Sequence, residues 1–300
     1  MTATVIDAPS KVNLALLLGP LRDDGRHEIA SVLVPLLLAD SLSISEIDAS
    51  ADEVVCEGVD GPEITAAALA EVRARGLNPP TLRIVVTKRV PVAAGLGGGS
   101  ADAGALLRWL SARLGPDASE ELRSVAAGLG SDVLAQSGLW ALEPEPAPCF
   151  VSGGGERVDP LISSPPSIEV VLAPAVDGLS AAAVYAEADA LGLPRGAEEL
   201  TSMAEDLREV SGALPLGAEG FAVNDLQAAA ISLRPDIELT LVAMERAGAA
   251  RAMVSGSGPT VVGFIGPDAD ARAVAAELSL LRPNEPEPIV SALRAGYGRR

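Results

Sequence analysis

A two-domain α+β protein is what the sequence predicts, and three observations carry that expectation. The chain has 300 residues, long for one hydrophobic core and short for three. Its first half places short apolar runs with strand character around amphipathic helical stretches. Its second half separates strands by helices and ends on a strand, the pattern of a small α/β sandwich of ferredoxin-like type. The boundary is expected near residue 160, with a mixed sheet and helices over 1–160 and the sandwich over 161–300.

Strands are expected at Thr4–Ala8, Val12–Leu18, Ile29–Leu38, Leu42–Ile47 and Leu82–Thr87, where apolar residues alternate or run together, with the turn RDDGRH between two of them. Helical spacing of apolar residues predicts helices over Ile64–Arg75, Ser100–Leu114 and Ser119–Ala127. The proline-rich EPEPAP reads as a brief connector and SGGGERVDP as a loop. Beyond them come a strand at Ile168–Ala173 and helices at Ala181–Leu191, Glu198–Val210 and Val223–Ala247. Strands Ala252–Val254 and Thr260–Ile265, helix Ala269–Leu281 and a closing strand in EPIVSAL complete the chain.

Composition narrows the function. Hydrophobic residues make up 48% of the chain but aromatics only 2%, so aliphatic side chains must do the packing and each ring is worth locating. Lys and Arg total 22 against 41 Asp and Glu, a net charge of −19, which argues against nucleic acid and anionic membranes as partners. A bound phosphate would have to be held locally. Two cysteines and one histidine supply neither a disulfide framework nor a zinc-ligand set. The apolar run SVLVPLLLAD is too short to span a bilayer, and the N-terminus lacks the basic start of a signal peptide, so a cytoplasmic protein is expected. With no coiled-coil heptad in view, a monomer or weak homodimer is the expectation.

The stretch VPVAAGLGGGSADAGALLRWL runs from Val90 to Leu110 and concentrates Gly95, Gly97, Gly98 and Gly99 just before a helical pattern. Glycine permits positive φ and close backbone approach, while a helix N-terminus presents unpaired N–H groups and the positive end of its dipole. Together they can cradle a phosphate, with Pro91, Leu96 and Ser100 in the same loop. The spacing is neither a Walker A sequence nor a dinucleotide fingerprint. Ser100 has three open roles: capping the helix, binding a phosphate or reaching a magnesium ion. The competing reading is a tight strand-to-helix turn.

Arginine is the default cation of this chain; only Lys11 and Lys88 are lysines. Lys11 lies in APSKVNLALLLG on an expected strand, where a compact point charge or a surface lysine would both fit. Asp132 in GLGSDVLAQSG, His27 in the turn, and the glycine loop VSGSGPT are each ordinary turn features by themselves.

Taken together, three segments resemble the signatures of the GHMP kinase superfamily in their expected order. APSKVNLAL is similar to its N-terminal strand, PVAAGLGGGSADAGALL to its nucleotide-phosphate loop and MVSGSGPTVVGF to its C-terminal glycine motif. RDDGRHEI, LGSDV, GGGERVDPL and VNDLQAAA resemble stretches of the branch that phosphorylates a cytidine-diphosphate-linked methylerythritol. The resemblance implies the two-domain GHMP kinase fold, ATP and Mg²⁺ as cofactors, and this small molecule as substrate. Carried over residue by residue, it makes Asp132 the catalytic aspartate near the acceptor hydroxyl, with Lys11 beside it as the compensating charge. Asn13 would position the substrate, and Pro91 with Gly95 to Ser100 would hold the ATP phosphates. His27 would hydrogen-bond cytosine, Tyr185 would stack on it unless it is a core tyrosine, and Gly256, Ser257, Gly258 and Thr260 would line the substrate pocket. Arg26 stands where the family turn usually carries a tyrosine, and a guanidinium can also stack on a base. The Asn-Leu pair usual on the adenine side is absent from GPEITAAALAEV. The alternatives are a kinase of the same superfamily acting on homoserine, mevalonate or a sugar, and a nucleotide-binding regulator without catalysis.

Overall fold

The computed structural model describes residues 3–56, 64–141, 144–161, 168–211 and 223–294. The chain forms two compact units. Unit 1 comprises Met1–Ser10, Leu38–Val92 and Gly97–Ala147, and unit 2 comprises Lys11–Leu37, Ala93–Leu96 and Pro148–Arg300. The chain passes from one to the other inside strand β1 (Thr4–Leu21), inside strand β2 (His27–Glu46), on both sides of Ala93–Leu96 and at Pro148.

These two long strands each replace a pair of expected shorter ones. In β1 every residue from Ala8 to Gly19 is buried, and the Pro-Ser-Lys that reads as a break continues the strand, since proline's fixed φ is compatible with extended backbone. In β2 the apparent break at Asp40 is also absent. Its carboxylate is fully buried and accepts the backbone N–H of Arg89 and Val90 at 2.5 and 2.8 Å.

In unit 1, β3 (Glu53–Cys56) runs parallel to β4 (Leu82–Thr87), which pairs antiparallel with the end of β2, Ser41 opposite Thr87 and Glu46 opposite Leu82. Helices α1 (Ile64–Ala74), α2 (Gly98–Leu114), α3 (Ser119–Leu129) and α4 (Ser131–Ser137) complete it. Helix α1 buries Thr65, Ala68, Leu69 and Val72, one face at helical spacing. Helix α4 was not expected: seven residues carry too little periodicity to read, and Gly130 and Gly138, both at positive φ, frame it.

In unit 2, β5 (Cys149–Gly153) pairs antiparallel with the start of β2 and turns into β6 (Arg157–Pro160). This hairpin occupies the expected loop SGGGERVDP. A separate antiparallel sheet is built from β7 (Glu169–Ala173), β9 (Arg251–Val254), β10 (Val261–Phe264) and β11 (Ile289–Ala292) in the order β11-β7-β10-β9. The helices of unit 2 are α5 (Ala181–Ala190), α6 (Ala197–Ser211), α7 (Gln227–Leu233), α8 (Asp236–Arg246) and α9 (Ala271–Leu281). Strand, helices, two strands, helix, strand in this spatial order is the ferredoxin-like arrangement the sequence predicts. The helix expected over Val223–Ala247 is instead β8 (Val223–Asn224), α7 and α8. Pro235 interrupts the helical ladder, and the Asn224 side chain binds backbone groups outside any helix. β8 lies parallel to β1, Ala15 opposite Val223. The core is aliphatic, as the composition requires, with Leu16, Leu18, Val171, Val184, Leu226, Met244, Val254 and Leu278 among its buried members.

Candidate active site

Lys11 and Asn13 point the same way from β1 because strand side chains alternate, and both are 4% exposed. Lys11 Nζ donates to Asn13 Oδ1 at 2.7 Å, Asn13 Nδ2 donates to Ser31 Oγ at 2.8 Å, and Ser31 Oγ donates to Ala15 O at 2.7 Å. This relay uses both ends of the Asn13 amide and fixes its orientation. The ammonium is thus aimed by a buried chain of polar groups, which hold firmly when satisfied.

Two glycine segments of unit 2 converge on that pair. Lys11 N donates to Leu96 O at 2.9 Å, Ser255 Oγ donates to Gly95 O at 3.2 Å, and Thr260 N donates to Ala94 O at 3.4 Å. A Cβ on Gly256, whose φ is +57°, would stand 3.1 Å from Lys11 Nζ and 3.2 Å from Gly95 O. On Gly95 it would run into Ser255 O. The segment before Gly95 is strained as well: Ala93 has φ +53°, unusual for a residue with a side chain. Asn224 Nδ2 clamps the neighbouring turn by donating to Val254 O and Gly256 O at 2.9 and 2.7 Å. Gly258 lies in the same turn, Ser257 is half-buried, and Thr260 is fully buried with no hydrogen-bond partner for its Oγ1 among the described residues. An orphaned buried hydroxyl of this kind suits a bound ligand or water.

The ring pair His27 and Tyr185 forms a second cluster in unit 2. Their centroids are 5.5 Å apart with planes tilted by 31°, and His27 Nε2 lies 2.8 Å from Asp189 Oδ1. Tyr185 also packs against the aliphatic core, so the ring serves both surfaces. Arg26 is half-exposed, its guanidinium bound to Asp24 at 2.9 Å and to Gly154 O at 3.4 Å.

Unit 1 carries the other half of the glycine-rich stretch. Helix α2 begins at Gly98 behind Gly97, which caps it in the left-handed region at φ +67°. Of the three roles open to Ser100, capping is not the observed one: Ser100 is the third helical residue, behind the cap residue Gly97, which makes no side-chain cap hydrogen bond. The N–H groups of Gly98, Gly99 and Ser100 precede the first helical bond, from Ala101 N to Gly97 O at 2.8 Å, and form a phosphate-sized donor array. A Cβ at Gly98 would lie 3.0 Å from Val90 Cγ1 and 3.3 Å from Lys88 Nζ. Gly98→Val is accordingly expected to displace this turn at an overpacking cost of roughly 1–3 kcal/mol, read as a lower midpoint in chemical denaturation. Pro91 is half-buried just upstream, and half-buried Asp132 is the second residue of α4.

Beneath this turn sits a charge cluster that sequence reasoning missed. Lys88 Nζ donates to Asp40 Oδ2 at 2.5 Å and to Asp102 Oδ2 at 2.7 Å, with both carboxylates buried. Burial by itself pushes the Lys88 pKa down, but the Asp102 and Asp40 charges outweigh it and hold the ammonium above the ordinary lysine range. The available signal was the scarcity of lysine, which applies to Lys88 as much as to Lys11. Among the described residues no group of three or more His, Cys, Asp and Glu could hold a metal ion by itself.

The pattern of the GHMP kinases N-terminal domain matches residues 63–139, and that of the GHMP kinases C-terminal domain matches residues 198–281. The chain belongs to the GHMP kinases. As such it is an ATP-dependent small-molecule kinase. It is 41% identical over 286 residues to the 4-diphosphocytidyl-2-C-methyl-D-erythritol kinase of Nocardia farcinica, covering 92% of this chain and 89% of that one. Its fold matches the crystal structure of a 4-(cytidine 5'-diphospho)-2C-methyl-D-erythritol kinase with a TM-score of 0.73 at 27% identity, over 98% of this chain and 100% of the other. Homoserine kinase from Cytophaga hutchinsonii shares the fold with a TM-score of 0.70 at 15% identity, over 99% and 96% of the two chains. No helix among the described residues is long and apolar enough to cross a membrane.

Proposed function

We propose that this GHMP kinase transfers the γ-phosphoryl group of ATP to the 2-hydroxyl of 4-diphosphocytidyl-2-C-methyl-D-erythritol. The observation that carries the acceptor is the 41% identity to a kinase of that name over nine-tenths of the chain. The His27–Tyr185 pair is its physical counterpart: an imidazole to hydrogen-bond a pyrimidine edge beside a ring to stack on its face. Arg26 adds a guanidinium at the same turn, and Gly256, Ser257, Gly258 and Thr260 line the acceptor side.

Phosphoryl transfer asks the protein mainly to position groups and neutralise charge. In this reading Asp132 accepts or orients the acceptor hydroxyl proton, and Lys11, aimed by Asn13, stabilises the charge on the transferring group. The glycine-loop N–H groups hold the phosphates. Mg²⁺ neutralises phosphate charge when bound, and the donor chemistry fits: magnesium on a nucleotide takes most ligands from phosphates and water and needs few hard oxygens from protein, such as the Ser100 hydroxyl.

The test is ADP release from MgATP with 4-diphosphocytidyl-2-C-methyl-D-erythritol, homoserine or mevalonate as acceptor. Turnover with the cytidyl compound alone is the expected result; turnover only with another acceptor moves the substrate within the family. If Tyr185 stacks on cytosine, Tyr185→Ala raises the KM for that acceptor about tenfold, from roughly 1–3 kcal/mol of stacking, and leaves the KM for ATP near its parental value. Equal changes in both would return Tyr185 to the core.

A further inference from the structure

Gln136 lies in the last turn of α4 and is 2% exposed. Its Nε2 donates to two backbone carbonyls, Gly97 O at 3.1 Å and Asp132 O at 3.3 Å. One end of this strut is the cap residue that opens the phosphate-binding turn of α2; the other is the residue whose carboxylate faces the acceptor chemistry in the proposed function. The two helices approach so closely here that a Cβ on Gly104 would stand 2.9 Å from Ser137 N. A side chain spanning that seam transmits position from one helix to the other.

The other half of the amide tells why glutamine is present. Gln136 Oε1 is buried and has no hydrogen-bond partner among the described residues. Burying an unsatisfied carbonyl is unfavourable, so an apolar side chain of similar volume would suit the slot better on packing grounds alone. Gly97 O already accepts a helical bond from Ala101 N, so the side-chain donor is not needed to satisfy it. A residue that costs stability and contributes a redundant bond is a mark of function rather than of packing.

We infer that Gln136 is a positioning residue which holds the Asp132 helix in register with the phosphate turn, so that the γ-phosphoryl group and the acceptor hydroxyl are presented together. The inference rests on the proposed roles of Asp132 and of the glycine loop. Misregister leaves ATP bound and exposes its γ-phosphate to water, so hydrolysis competes with transfer.

The experiment compares the full chain with Gln136→Met, Gln136→Leu and Asp132→Asn, measuring melting temperature, kcat, KM for ATP, and ADP formed per phosphorylated acceptor with 4-diphosphocytidyl-2-C-methyl-D-erythritol. Gln136→Met should melt at or above the parental temperature, lose about tenfold in kcat, change KM for ATP less than threefold or so, and raise the ADP-to-product ratio above one. Gln136→Leu reports the same quantities should the methionine variant misfold. A Gln136 variant that melts lower yet keeps parental kcat and a ratio of one overturns the inference, because that is the behaviour of a packing residue. If Asp132→Asn collapses turnover while Gln136→Met is parental in every kinetic quantity, the inference alone falls. If Asp132→Asn turns over like the parent, the proposed function of Asp132 falls and takes the inference with it.

Discussion

Asp132→Asn is expected to lower kcat by about 10²–10⁴-fold, the range for loss of a positioned acid–base group. Asparagine keeps the size and shape of the side chain, so the first turn of α4 should survive, as should the hydrogen bond its main-chain carbonyl receives from Gln136. What disappears is the negative charge and the ability to take a proton. Because the phosphates are assigned to the α2 turn, ATP affinity by calorimetry should stay near the parental value. Turnover that persists undiminished would remove Asp132 from the chemistry and leave it as a helix-terminus residue. A parallel fall in turnover and ATP affinity would show damage to the fold of unit 1.

Lys88→Met should be the most destabilising single change considered. The Lys88 side chain is 13% exposed, and its two carboxylate partners are 0% and 1% exposed. Methionine fills the volume but leaves both carboxylates buried without their shared cation. Breaking one side of a buried ion pair costs about 3–5 kcal/mol, a large part of the stability of an ordinary domain. Chemical denaturation should show this as a lower midpoint; a variant within roughly 1 kcal/mol of the parent would mean the cluster contributes little. The parent has a matching pH signature. Since folding raises the Lys88 pKa, its contribution is complete below the unfolded lysine value near 10.5 and is lost as pH rises through the higher folded value. The stability difference between parent and Lys88→Met should therefore be flat through neutral and mildly alkaline pH and narrow only in strong alkali.

Much of the candidate site was legible because it uses residues whose backbone or charge is exceptional. A lysine in a chain that otherwise uses arginine, and glycines at positions where a Cβ would meet Ser255 O or Lys11 Nζ, announce themselves by type. Asp40 and Gln136 do not. Both are ordinary residues on paper, and their weight comes from burial and from partners distant in sequence, Asp40 meeting Lys88 48 positions away. The elements divide on the same physical ground. The long amphipathic helices and the ferredoxin-like order carry periodicity that can be read locally. The two-residue β8 and seven-residue α4 are too short for that, and exist because Asn224 and the flanking glycines have contacts or conformations that only the folded chain supplies.

The parallel pairing of β1 with β8 also bears on how the chain is made. Ala15 meets Val223, so 208 residues must leave the ribosome between one partner and the other. At about 5–20 residues per second this is a wait of roughly 10–40 seconds. Throughout it, the strand that carries Lys11 and Asn13, with Leu14, Leu16 and Leu18 among its apolar residues, lacks that neighbour. Completion of this pairing is thus a late event in synthesis, and the nascent chain in that interval is a natural client for holding chaperones.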